Sequence, residues 1–132
     1  MTTRIRQIKH SFVVIGKPVS LQSSSGSKQR YQQMVTQAAV ESVASPIKAK
    51  ERVKIEIDWF SEGFKNKPDI DNIVKPILDA LKGTVYTDDK QVESQTIRKH
   101  NTLGVLSFWS EPLSIIEPLL DGNKDYIFIR IY

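Results

Sequence analysis

Lys67-Pro68-Asp69-Ile70-Asp71-Asn72-Ile73-Val74-Lys75-Pro76-Ile77-Leu78-Asp79-Ala80-Leu81-Lys82-Gly83 is the most chemically dense stretch of this 132-residue chain. Ile73, Ile77, Leu78 and Leu81 recur at the spacing of a helix with one buried face, and Gly83 is a natural stop. Pro68 favours extended backbone before it, so Asp69 and Asp71 fall at the helix entry, where both carboxylates can face one point. Pro76 lacks an N–H and crowds the carbonyl four residues back, so it fits best in a first turn and predicts a helix start near Asp71 or Asn72. Lys75 then stands one turn beyond Asp71 on the same side.

Downstream, Thr84-Val85-Tyr86-Thr87-Asp88-Asp89-Lys90-Gln91-Val92 supplies two more acids. The helix carries the chain roughly 16 Å away. The residues from Lys82 to Asp89 can span up to about 23 Å, so Asp88 or Asp89 has the reach to return to Asp69 and Asp71. Like charges held close together raise one another's pKa and destabilise a fold, and a divalent cation is the usual reason for such a cluster. Mg²⁺ takes oxygen ligands and is typically held by one or two carboxylates plus substrate phosphates. That chemistry suits phosphodiester hydrolysis, with a lysine adding positive charge at the phosphoryl group. The alternative is structural: Asp69 and Asp71 as helix caps, Asp88-Asp89 as an ordinary turn.

The order Lys67-Pro68-Asp69-Ile70-Asp71-Asn72, then Lys75, then Leu78-Asp79-Ala80-Leu81, then Asp88-Asp89-Lys90-Gln91-Val92 resembles the RusA family of Holliday junction resolvases, homodimeric Mg²⁺-dependent endonucleases. The resemblance covers about residues 67–92. It implies Asp69, Asp71 and Asp89 as metal-binding catalytic acids, Lys75 as the essential lysine and Asp88 as an auxiliary acid. It also implies Mg²⁺, with Mn²⁺ as a substitute, branched DNA as substrate and a homodimer. Two symmetric cuts in a four-way junction call for a two-fold assembly in any case.

The length allows one domain with a moderate core. The chain has no cysteine, which excludes disulfides and thiolate metal sites, and no apolar run approaches the roughly 20 residues needed to cross a bilayer. A cytoplasmic protein without membrane association is expected. Residues 1–67 carry 12 Lys and Arg against 5 acids, a balance of +7, whereas residues 68–132 carry 7 against 10, a balance of −3. Such an asymmetry suits a protein that grips phosphates with one part and holds a metal with another, although a basic pI of 9.3 is also common where no nucleic acid binds.

Ser11–Ile15 reads as a first strand. Ser20–Ser27 is a polar loop flanked by Lys17, Lys28 and Arg30, which with Lys65 and Lys67 are the candidate DNA contacts. A helix follows from a Ser27 cap, with Tyr31 and Met34 toward the core. Glu51–Phe60 alternates cleanly, Val53, Ile55, Ile57 and Trp59 forming the buried face of a strand that leads to Asp69. Phe64 is expected to fold back on the core or to wedge between unstacked bases. Gln91–His100 and Tyr126–Tyr132 read as further strands, His100 as a surface residue, and Leu113–Leu120 as a short helix broken by Pro118. The expected fold is α+β: a single domain, RusA-like, with a mixed β-sheet of about four strands and two main helices packed on it.

The sequence points to a junction-resolving endonuclease. Its rivals are a DNA-binding module without catalysis, whose acids only cap helices, and a nucleotide-sugar transferase using Asp69-Ile70-Asp71, against which the short chain argues.

Overall fold

The structure is a computed structural model and describes residues 8–103 and 113–132. Four strands and three helices follow one another as β1 (His10–Ile15), α1 (Ser25–Ser42), β2 (Val53–Ser61), α2 (Ile70–Leu81), β3 (Val92–Asn101), α3 (Leu113–Leu120) and β4 (Asp125–Ile131). The sheet order is β1-β4-β2-β3. β2 and β3 are parallel, joined through α2, while β4 runs antiparallel to both β1 and β2. This is the expected mixed sheet of four strands, and the chain is α+β.

Alternation decides which face of the sheet takes the helices. Ile55, Ile57 and Trp59 of β2 and Ile127, Ile129 and Ile131 of β4 are all buried in one cluster with Tyr31, Val35 and Ala39 of α1 and Ile73, Ile77 and Leu81 of α2. Removing these side chains from water is the main stabilisation of the domain, at about 25 cal/mol per Å² of apolar surface. The opposite face is also covered from Asp58 onward: Phe60, Tyr126 and Phe128 form a second cluster against which Leu119 of α3 packs. β2 therefore ends as a strand buried on both faces, which simple alternation did not predict.

Element boundaries differ from the sequence reading in ways that have local causes. α1 begins at Ser25 because Ser24, not Ser27, is the cap, its side chain accepting the Ser27 N–H at 3.2 Å. Met34 lies on the outer side of α1 and is 46% exposed, whereas Tyr31 is buried as expected. α2 begins at Ile70, so Pro76 falls in its second turn. The bond that Pro76 cannot donate is replaced: the Leu21 N–H reaches the Asn72 carbonyl at 2.9 Å. That substitution pins the polar Ser20–Ser24 loop against the helix entry, and Gln32 Nε2 adds a second tie to the Pro76 carbonyl at 3.0 Å.

Candidate active site

The parallel pair β2–β3 sets the frame. β2 delivers the chain to Asp69 at the sheet end marked by Ser61 and Asn101, and α2 then carries it back to the end marked by Val53 and Val92. Asp69 occupies the N-cap position with extended backbone, yet its side chain makes no capping hydrogen bond. Asp71 lies in the first turn, and both aspartates are exposed. Two carboxylates with no partner among the described residues thus stand at the positive end of the helix dipole.

The connection that leads into Asp69 is fixed from three sides. Asn66 takes a left-handed φ of 62°, a conformation asparagine tolerates. Lys67 Nζ donates to the Ser61 hydroxyl and sits 3.0 Å from Asp125 Oδ1, which also accepts from Trp59 Nε1 at 3.4 Å. Phe64 folds back, packing edge-on against Trp59 with centroids 5.0 Å apart, and Lys99 Nζ lies over both rings.

Along its exposed side α2 presents Asp71, Lys75, Asp79 and then Lys82, alternating in sign. Lys75 Nζ is 2.7 Å from Asp79 Oδ1. That hydrogen bond, followed by the Coulomb attraction of Asp79 and a smaller one from Asp89, holds the Lys75 ammonium above the usual lysine range. Lys82 Nζ is 3.6 Å from Asp89 Oδ2. Burial, with Asp89 and Asp79 nearby, likewise raises the Tyr86 phenol, which remains a neutral donor to the Leu78 carbonyl at 3.1 Å. An open groove of about 890 Å³ between α1 and α2 runs beside this stripe, lined by Gln29, Gln32, Gln33, Thr36, Asp79 and Lys82.

Asp88 is a cap in this structure. Its carboxylate accepts the Lys90 N–H at 3.0 Å and opens a single 3-10 turn, Asp89–Gln91, while the Gln91 side chain accepts the Asp88 N–H at 2.9 Å. Gln91 does more than close this box. Its Oε1 also accepts from the Thr87 N–H at 2.8 Å and Thr87 Oγ1 at 2.7 Å, and its Nε2 reaches the carbonyls of Ile47, Lys48 and Glu51 at 3.3, 2.7 and 3.2 Å. The turn carrying Asp88 and Asp89 is therefore bolted to the α1–β2 connection. The Asp-x-x-Gln spacing of Asp88 and Gln91 signals such a box in the sequence, but the sequence reading passed over it.

The sequence allowed Asp89 to come back to Asp69 and Asp71, and within one chain the clamped turn holds it instead beside Lys82, at the other end of α2. Among the described residues no three His, Cys, Asp or Glu side chains gather closely enough to hold a metal. The Asp69 and Asp71 pair alone matches the one or two carboxylates with which Mg²⁺ is usually held beside substrate phosphates. Of the basic candidates, Lys67 is committed to Asp125, Lys28 Nζ donates to the Leu21 carbonyl at 3.1 Å, and Arg30 Nη2 donates to Ser27 Oγ at 3.4 Å. Lys17 and Lys65 make no ion pair among the described residues.

Behind the sheet lies a charge network the sequence did not announce. Asp58, 2% exposed, accepts from Arg98 Nε and meets His100 Nε2, each at 2.8 Å, and Arg130 Nη2 is 3.5 Å from its second oxygen. Burial works against the Asp58 carboxylate, but the hydrogen bonds from His100 and Arg98 outweigh it and hold its pKa below the usual value. His100 is thus half-buried and stacked on Phe60, with centroids 4.6 Å apart, where the sequence suggested a surface residue. Tyr126, stacked on Phe60 in turn, has its phenol pushed up to about 12 by burial.

A mixed four-stranded sheet whose β2–α2–β3 unit carries paired acids at the helix entry, a lysine one turn on and an Asp-Asp turn before the next strand defines a small protein of the α+β class. The family model of endodeoxyribonuclease RusA matches residues 20–105, and the chain belongs to that family. The match runs from the Ser20 loop through α1, β2, α2 and β3. Among curated proteins no relative matches the chain. No helix among the described residues is long and apolar enough to cross a membrane.

Proposed function

We propose that this protein is a Mg²⁺-dependent, structure-specific endonuclease that resolves four-way DNA junctions in recombination and repair, working as a homodimer. The observation that carries the reading is the free state of Asp69: an aspartate at an N-cap that leaves its carboxylate unused for capping, two residues from an exposed second aspartate, in a chain of the RusA family. Asp69 and Asp71 would hold the ion, with Mn²⁺ as a substitute. A bound ion supplies an activated water and neutralises charge at the scissile phosphate. Lys75, one turn away and fully charged at neutral pH, steadies the added negative charge on the phosphoryl oxygens once it leaves Asp79.

Asp89 joins this site from the other subunit. A two-fold axis beside the middle of α2 reverses the helix. Each copy's Asp69 and Asp71 then face the end of the partner helix where the partner's Asp89 lies. The alternating signs of Asp71, Lys75, Asp79 and Lys82 suit that reversal, since Asp71 comes opposite the partner's Lys82 and Lys75 opposite the partner's Asp79. One symmetric contact completes two sites at once, one for each strand to be cut.

Labelled four-way junctions and linear duplex incubated with Mg²⁺, beside an Asp71→Asn variant, test the reading. Paired cuts in the junction that disappear in the variant while binding persists are expected. Binding without cutting by the unaltered protein would reduce it to a DNA-binding module.

A further inference from the structure

We propose that the connection between α1 and β2 is a phosphate-binding clamp for the backbone of a DNA arm, held beside Asp89 by Gln91. The inference rests on the nuclease reading above and adds a surface to it. Lys48, Lys50 and Arg52 are all exposed in this connection, and none makes an ion pair among the described residues. Its single acid, Glu51, is neutralised by Lys9 at 3.4 Å. Lys90, exposed on the abutting turn, extends the positive surface toward Asp89.

A run of surface lysines is ordinarily a solvated loop, but this one is built. The Ile47 side chain is 7% exposed, and the Ile47 N–H donates to the Val85 carbonyl at 2.7 Å, pairing the segment with the strand-like bridge at Tyr86. The Glu51 N–H closes a turn on the Lys48 carbonyl at 2.9 Å. Gln91, 3% exposed, then gathers the carbonyls of Ile47, Lys48 and Glu51 inward on its amide. With three carbonyls fixed inward, the Lys48, Lys50 and Arg52 side chains are left on the outside, their backbone ordered before any ligand arrives. A backbone ordered in advance lowers the ordering cost of binding a polyanion. The ligand is the phosphodiester backbone: the exposed groups Lys48, Lys50 and Arg52 are cations suited to phosphates, and the neighbouring Asp89 is a site candidate for backbone cleavage.

The test is binding of a fluorescent four-way junction in EDTA across a KCl series, with the unaltered protein and K48A/K50A/R52A. Losing three phosphate contacts should weaken binding at least tenfold in low salt. It should also flatten the plot of log K against log salt by about 2 to 3, at roughly 0.9 per contact. K48R/K50R should keep both affinity and slope. Melting temperatures should be unchanged because all three side chains are exposed, and the single variants K48A and R52A, each lowering the slope by about 1, carry the same test if the triple variant folds poorly. Should the triple variant bind with the parent's affinity and slope while the parent binds and cuts junctions, the clamp is wrong and the nuclease reading stands. Should the parent bind no branched DNA, both fall.

Discussion

Lys67 and Asp125, 58 residues apart in the chain, meet with Nζ 3.0 Å from Oδ1 and 3.1 Å from Oδ2. The contact fastens the first residue of β4 to the residue two before Asp69, so the sheet itself sets where the loop bearing Asp69 enters α2. Both side chains are about four-fifths buried, and neither is replaced cheaply by water. Lys67→Met should lower stability by about 1 to 3 kcal/mol in urea unfolding, since it strands the Asp125 carboxylate. It should also slow single-turnover junction cutting. Lys67→Arg, which keeps the charge, should recover most of the stability. A Lys67→Met protein that weakens DNA binding with no loss of stability would instead return Lys67 to the DNA surface.

The trans arrangement proposed for Asp89 makes a prediction that no single-chain site can share. Asp71→Asn and Asp89→Asn proteins are each expected to be inactive. After subunit exchange, half the dimers are mixed, and in each mixed dimer one site draws intact Asp71 and intact Asp89 from different chains. Mixing should therefore restore nicking at about a quarter of the parent's sites. Two dead proteins that stay dead when mixed would place all three acids in one chain.

Metal and lysine should separate binding from chemistry. EDTA is expected to abolish cutting and leave junction binding in place, with Mg²⁺ or Mn²⁺ restoring it. Lys75→Ala should reduce the cutting rate by about 10²-fold or more. Its stability should change by no more than about 0.5 kcal/mol, because the Lys75–Asp79 pair is an exposed i,i+4 contact. A large loss of melting temperature in Lys75→Ala would show the residue to be structural.

Gln91 brings six polar groups within hydrogen-bond distance of one buried amide, three at Oε1 and three sharing the two N–H groups of Nε2. Gln91→Leu keeps the volume and leaves the Thr87 and Asp88 N–H groups and three carbonyls without that partner, at a cost of about 2 to 4 kcal/mol. Hydrogen exchange should quicken at Thr87, Asp88 and residues 47–51 together, because the same side chain holds both segments. Exchange that quickens in only one of them would deny the coupling.

Asp58 predicts the acid side of the stability curve. Its folded pKa lies below the unfolded value of about 3.9, so its contribution is present above that value and is lost as pH falls through the folded one. Asp58→Asn should melt well below the parent at pH 7, and the gap should narrow below about pH 4. A gap that stays constant down to pH 3 would mean that the carboxylate's charge contributes nothing.

The elements themselves were legible in the chain because they follow from contacts within a few residues. Ile73, Ile77 and Leu81 mark one face of α2 whatever surrounds it, and Val53 through Trp59 alternate as any half-buried strand must. The spacing of Asp69, Asp71, Lys75 and Asp88-Asp89 likewise carried the family. What the sequence left open were contacts across 40 residues or more. Gln91 reaches Lys48, Asp58 gathers Arg98 and His100 on the hidden side of the sheet, and Lys67 finds Asp125, none of which any local periodicity encodes. Asp89 shows the division most plainly: chain length alone let it return to Asp69, and only the folded turn, anchored through Gln91, decided that it stays at the far end of α2.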